Sequence, residues 1–90
     1  MLRRSLLLLL LGCQLVMADP DTLELNQASR AQLESLPGIG PALAERLLEA
    51  RQKQAFSDWA DLLRRVEGIG RNSARKLSDR GLRINGQPIP

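Results

Sequence analysis

LPGIG at residues 36–40 is the stretch that decides the fold, and VEGIG at residues 66–70 repeats it. Two glycines around one aliphatic residue favour a tight turn, because glycine tolerates positive φ and lets another backbone approach closely. Each triplet precedes a helical pattern, so the free amides at the helix start face outward with the positive end of the helix dipole behind them. The stretch therefore predicts an anion-binding turn, and phosphate is the usual anion.

The two copies align at a constant offset of 30 residues. The aligned pairs are Leu33 with Leu63, Leu36 with Val66, Gly38 with Gly68, Ile39 with Ile69, Gly40 with Gly70, Ala44 with Ala74, Arg46 with Lys76 and Leu47 with Leu77. A single Gly-x-Gly is a weak signal. The pairing instead predicts one supersecondary unit used twice, with each isoleucine as an apolar plug pointing into the core.

Local signals predict four short helices and an all-α fold. The helices are expected over about residues 29–35, 41–53, 59–65 and 71–80. Ser29 and Asp58 are suitable N-caps, and Pro41 suits the first turn of the second helix. Gly81 is placed to end the fourth helix.

The N-terminus carries the pattern of a leader peptide. Arg3 and Arg4 precede the apolar run 6–11, and residues 16–18 have the small-residue form of a cleavage site. We expect a signal peptide over residues 1–18, cleaved after Ala18, and export of the mature chain. Residues 10–13 also resemble a lipoprotein box, so a lipoprotein anchored at Cys13 is the alternative.

Charge is distributed unevenly along the chain. Residues 19–63 hold four basic and eight acidic side chains, net −4, whereas residues 64–90 hold seven basic and two acidic ones, net +5. The positive field therefore lies on the second repeat and its flanks, as expected for a phosphate-facing patch. A solvated charged surface is the alternative interpretation.

Composition argues against several classes of function. With no His and one Cys, neither a zinc cluster nor a disulfide framework is expected. The chain has one Phe, one Trp and no Tyr. We therefore do not expect an aromatic platform on which the bases of a single strand could stack. No acid-base or nucleophilic group stands out, and neither glycine turn continues into a P-loop. We expect no enzyme, no cofactor, no metal and no small-molecule substrate.

The pattern apolar-x-Gly-Ile-Gly-x-x-x-Ala-x-x-Leu resembles the helix-hairpin-helix motif, and the pair resembles a tandem helix-hairpin-helix domain. Residues 25–29, together with Phe56 and residues 61–62, narrow the resemblance to the ComEA-type competence DNA receptors. It implies an all-α tandem domain over residues 29–81, after an extended lead-in at 19–28. A flexible C-terminal tail is expected at 82–90.

The resemblance implies an exported protein that binds double-stranded DNA without sequence preference and retains incoming DNA in the periplasm during natural transformation. The partners implied are the phosphate backbone, on the minor-groove side, and an inner-membrane DNA-uptake channel. Backbone amides at the second glycine and the helix start hold a phosphate in that family, with nearby cations. The corresponding DNA-binding residues are Gly38, Ile39, Gly40, Ala42 and Arg46 in hairpin one and Gly68, Ile69, Gly70, Arg71, Asn72, Arg75 and Lys76 in hairpin two. An envelope protein–protein interaction module with the same fold is the alternative.

The chain departs from this family in hairpin one. Relatives typically place Lys at the two positions after Gly-Ile-Gly-Pro, where this chain has Ala42 and Leu43. Hairpin two, with Arg71 and Arg75, is therefore expected to dominate the affinity. Whether hairpin one contacts DNA stays open.

Overall fold

A computed structural model describes residues 21–90, which form four helices and one two-stranded sheet. The elements are β1 Leu23–Glu24, α1 Arg30–Glu34, α2 Pro41–Lys53, α3 Trp59–Arg65, α4 Arg71–Asp79 and β2 Leu82–Arg83. The mostly helical architecture with four helices is confirmed, and the small sheet is an addition to it. The expected signal peptide, its cleavage site and Cys13 lie outside the described residues. Within residues 21–90, none of the helices is long and apolar enough to cross a bilayer.

Short-range capping explains where α1 and α3 begin. The Ser29 hydroxyl accepts from the Gln32 amide at 3.1 Å, and the Gln32 side chain accepts from the Ser29 amide at 2.9 Å, a complete capping box. Asp58 Oδ1 accepts from the Asp61 amide at 2.8 Å at the start of α3. Both predicted N-caps are confirmed, and each stabilises its helix by about 1 kcal/mol.

Both repeats contribute to one hydrophobic core. Ile39 and Ile69 are 4% and 5% exposed, so each acts as the expected apolar plug between its two glycines. Phe56 and Trp59 are buried as well and act as core anchors. The remaining buried apolar residues are Leu25, Ala28, Leu33, Ala44, Leu47, Leu62, Val66, Ala74, Leu77, Leu82 and Ile84. Burial of a large aliphatic side chain contributes about 2 kcal/mol, so this shared core holds the two hairpins together.

The fourth helix ends where Gly81 adopts a φ of +105°. Arg80 is its C-cap, so the helix stops at Asp79, one residue before the expected end. A Cβ at Gly81 would lie 2.3 Å from the Asp21 carbonyl oxygen. Glycine is therefore required here for two reasons, the left-handed backbone and the close approach of the lead-in.

The C-terminal segment corrects the expectation of a flexible tail at residues 82–90. β2 pairs in parallel with β1, and Ile84 is 1% exposed. The Trp59 indole donates to the Gln87 carbonyl at 2.9 Å, and the Ile89 amide donates to the Ser78 hydroxyl at 3.0 Å. The segment is apolar-poor by itself, but it packs on the lead-in and on α3 and α4. The expectation was wrong because the contacts that order the segment are distant in sequence.

Candidate nucleic-acid interface

The two Gly-Ile-Gly turns have nearly the same backbone conformation. The first glycine is left-handed in both, with φ +84° at Gly38 and +101° at Gly68. The second is extended, with φ/ψ of −91°/−175° at Gly40 and −99°/−176° at Gly70. The sequence repeat is therefore a repeat of local structure, and the left-handed position explains the first glycine of each triplet.

The helices that leave these turns have uncapped N-termini. Within the described chain, α2 and α4 have no side-chain cap, in contrast to α1 and α3. Amides in the first turn of a helix have no acceptor within the helix, and they carry the positive end of its dipole. A Cβ at Gly40 or Gly70 would meet no atom within 4 Å, so an anion can reach both sites from solvent.

The two turns lie next to each other on one surface. A cleft of about 240 Å³ separates them. Its lining comes from both hairpins: Pro37, Gly38, Ile39, Leu43, Gly68, Ile69, Ser73, Lys76 and Leu77. Two anions held by α2 and α4 would therefore sit side by side on the same face of the protein.

Hairpin one offers fewer donors than hairpin two. Pro41 occupies the first position of α2 and has no N–H, whereas Arg71 at the matching position of α4 has an amide and a cationic side chain. Glu45 stands where hairpin two has Arg75. The Arg30 guanidinium forms an ion pair with Glu45 and donates a hydrogen bond to its carboxylate. This hydrogen bond raises the pKa of Arg30 above its ordinary value. The pair masks the acidic side chain.

Hairpin two carries cations that the fold does not use. Arg71, Arg75 and Lys76 are exposed, and no ion pair or hydrogen bond engages their side chains within residues 21–90. These three residues project from α4, which starts at the Gly70 turn. Their charge is available to a phosphate.

Arg65, just before hairpin two, has a structural role instead. Its guanidinium donates to Asp61 at 2.9 Å and to the carbonyls of Ala50 and Gln54 at 2.7 and 2.8 Å. It also lies 4.7 Å from the centre of the Phe56 ring, a cation–π contact. The sequence did not indicate this structural role, because the acceptors Gln54 and Ala50 lie 11 and 15 residues away and no local motif predicts the contacts.

Asp61 is the centre of this network. Its carboxylate accepts from the Ser57 amide at 3.0 Å and from Arg64 and Arg65 at 3.0 and 2.9 Å. The hydrogen bond from Ser57, followed by those from Arg65, holds the pKa of this carboxyl below its ordinary value despite its burial. At neutral pH the ionised carboxylate therefore ties α3 to the loop that precedes it.

Apart from the exposed cations Arg71, Arg75 and Lys76, the sequence-predicted residues fall into three groups. Six of them are exposed and lie in the turns or at the helix starts: Gly38, Gly40, Ala42, Gly68, Gly70 and Asn72. Ile39 and Ile69 are buried, and the Ile39 amide already donates to Leu36 at 3.2 Å. Arg46 donates to the Glu67 carbonyl of the other hairpin at 3.3 Å, a contact that the sequence did not indicate.

Comparison with known proteins agrees with this geometry. The family described as helix-hairpin-helix motif matches residues 20–80. A protein of Methanocaldococcus jannaschii (strain ATCC 43067 / DSM 2661 / JAL-1 / JCM 10045 / NBRC 100440), named "Putative ATP-dependent RNA helicase MJ1505", is 36% identical over 59 residues. The match covers 63% of this chain but only 8% of that protein. No solved structure matches.

Proposed function

The chain belongs to the helix-hairpin-helix family, which indicates nucleic-acid binding, and from this premise we propose that it binds double-stranded DNA without sequence preference. One observation carries the proposal: two uncapped helix starts with matching glycine turns share one face. Three cations that form no ion pair within residues 21–90 lie beside the second turn.

The proposed contacts are amide-to-phosphate contacts, strengthened by side-chain charge. In hairpin two the donors are the amides from Gly70 to Asn72, with Arg71, Arg75 and Lys76 as cations. In hairpin one they are the amides of Gly40 and Ala42 alone. Such contacts carry no base information, so the binding depends on shape and charge. Two adjacent phosphate sites suit the two strands that border a minor groove.

We base a proposed cellular role on the expected leader peptide and on the resemblance to ComEA-type receptors. We propose that the mature chain, from residue 19, holds incoming DNA in the periplasm during natural transformation. By occupying each new length of duplex, it would bias the strand against sliding back toward the outside. An inner-membrane uptake channel would receive the DNA, and a lipidated form anchored at Cys13 is the alternative to a periplasmic one.

We further propose that the protein is a binding module rather than an enzyme. The archaeal relative is named for an ATP-dependent helicase, but the chain spans only 8% of its length. The match covers 59 residues, so what we carry over is nucleic-acid binding alone.

A salt titration of residues 19–90 on a fluorescent duplex tests the proposal. With about four phosphate contacts, log K should fall with log salt at a slope of about −3.6. Heparin should compete, and single strands should bind more weakly than duplex. A flat titration, or no binding in dilute buffer, would contradict the proposal and favour an envelope docking module.

A further inference from the structure

The contacts between the two hairpins are not symmetric, although their backbones match. Arg46 projects from α2 of hairpin one and donates through Nη1 to the Glu67 carbonyl in hairpin two at 3.3 Å. The repeat places Lys76 and Pro37 at the matching positions, and that pair has no such bond within the described residues. Within residues 21–90, Arg46 thus links α2 directly to the hairpin-two turn without a counterpart at the hairpin-one turn, whereas Arg65 joins α3 to the far end of α2.

Packing around the first glycine of each turn shows the same asymmetry. A Cβ at Gly68 would lie 3.2 Å from Arg46 Nη1 and 3.4 Å from Leu43 Cδ1. A Cβ at Gly38 would meet nothing within 4 Å. Ser73 stands where hairpin one has Leu43, so the smaller side chain leaves the Gly38 side of the cleft open. Arg46 and Leu43 thus hold the hairpin-two turn against α2.

We infer that Arg46 is a positioning residue: it fastens the hairpin-two turn to α2 and sets the spacing of the two phosphate sites. The inference rests on the proposed function, since it concerns how both hairpins reach one duplex. Two linked sites gain affinity only if their geometry lets both bind at once. The phosphate strands of a duplex are fixed relative to each other, so a fixed spacing of the turns is needed.

A double-mutant cycle tests the inference on the mature chain. Arg46→Met keeps an unbranched apolar stem but removes the guanidinium with its donors and its charge, and Gly40→Val blocks the hairpin-one phosphate site. Each should weaken duplex binding about tenfold, and the double variant should also lose about tenfold, because either change removes the same second contact. Lys53→Met, at the other end of α2, is the charge-matched control and should bind as wild type.

Two results would overturn the inference while leaving DNA binding intact. A double variant that loses about a hundredfold means that Arg46 contacts DNA independently of hairpin one. Normal affinity in Arg46→Met means that the link is not needed. The midpoint of thermal unfolding should change little, because Arg46 is exposed.

A measurement without DNA separates this inference from the proposed function. The carbonyl ¹³C shift of Glu67 should change in Arg46→Met, while that of Pro37 should not. An unchanged Glu67 shift would show that the link does not form, whatever the DNA result. If the shift changes but wild type fails to bind duplex, the proposed function is at fault, and the positioning role falls with it.

Discussion

Hairpins one and two share a backbone but differ in the chemistry that they present. The φ values of the first glycines differ by 17° (+84° and +101°), and both following helices start without a side-chain cap. Position 41 is Pro where position 71 is Arg, and position 45 is Glu where position 75 is Arg. The glycine turn therefore supplies the anion site, while the side chains of the helix that follows set how strongly an anion is held.

The strongest test of this difference reverses the charge of hairpin two. Arg71→Glu with Arg75→Glu should weaken duplex binding by at least about a hundredfold, since two attractive contacts become repulsive ones. Fluorescence anisotropy at low salt measures the loss. Lys53→Glu with Gln52→Glu places acidic residues at the far end of α2 and should have little effect. The two double variants lower the net charge by four and by three, so comparable losses in both would mean that only net charge matters.

A second prediction concerns the acidic network, which hairpin one lacks because Ala31 stands at the position of Asp61. Asp61→Asn should lower the free energy of unfolding by about 2 kcal/mol, because charge-assisted hydrogen bonds to Arg64 and Arg65 are lost. Urea denaturation measures it. Asp79→Asn, in exposed α4 surface, is the control and should change stability little. Equal stability of the two variants would mean that the Asp61 network does not stabilise the fold.

The same carboxyl predicts a pH dependence. Its folded pKa lies below its unfolded value, which is about 3.9 for Asp. The stabilisation is therefore fully present above about pH 5 and is lost as the pH falls through the lowered folded pKa. The wild type should lose more stability than Asp61→Asn between pH 6 and pH 3, as two urea series would show. Parallel curves would contradict the assignment.

A third prediction compares the second glycines directly. Gly70→Val should reduce affinity about tenfold or more, because a side chain there blocks phosphate approach to the uncapped helix start. Gly40→Val blocks only the weaker site of hairpin one, so it should reduce duplex affinity by no more than Gly70→Val does. Both glycines have extended backbones, so valine fits and the helix loses about 1 kcal/mol at most. A larger loss at Gly40 would invert the ranking of the hairpins.

The smallest expected effect is a gain of binding. Ala42→Lys adds a cation at the start of α2, at a position where the competence receptors that the sequence resembles carry lysine. Affinity should rise about threefold to tenfold, and the salt slope should steepen by about 0.9, one extra phosphate contact. Gln52→Lys adds the same charge far from the turn and should leave the slope unchanged. An unchanged slope in Ala42→Lys would place hairpin one away from DNA.

The sequence predicted those features that depend on nearby residues. The bounds of α2 and α3, the N-caps Ser29 and Asp58 and the buried isoleucines all follow from spacing within a few positions. The ordered structure of residues 82–90 was not predicted, because it depends on pairing with β1 and on the hydrogen bond from the Trp59 indole.

The candidate site shows the same division between local and distant information. The glycine turns and the cations of α4 were readable from the repeat. The engagement of Arg46 with Glu67, and of Arg65 with two carbonyls, was not. Composition counts every arginine as positive charge, whereas the fold uses some of them to satisfy backbone acceptors. The structure is needed to distinguish these arginines from those, such as Arg71 and Arg75, whose side chains make no hydrogen bond within residues 21–90.

An amide ¹H–¹⁵N titration of the mature chain with a short duplex would locate the phosphate contacts residue by residue. The largest shift changes should fall on Gly70, Arg71 and Asn72, with smaller ones at Gly40 and Ala42. Changes that avoid both glycine turns, or that fall on the acidic surface around Glu45 and Glu49, would contradict the account.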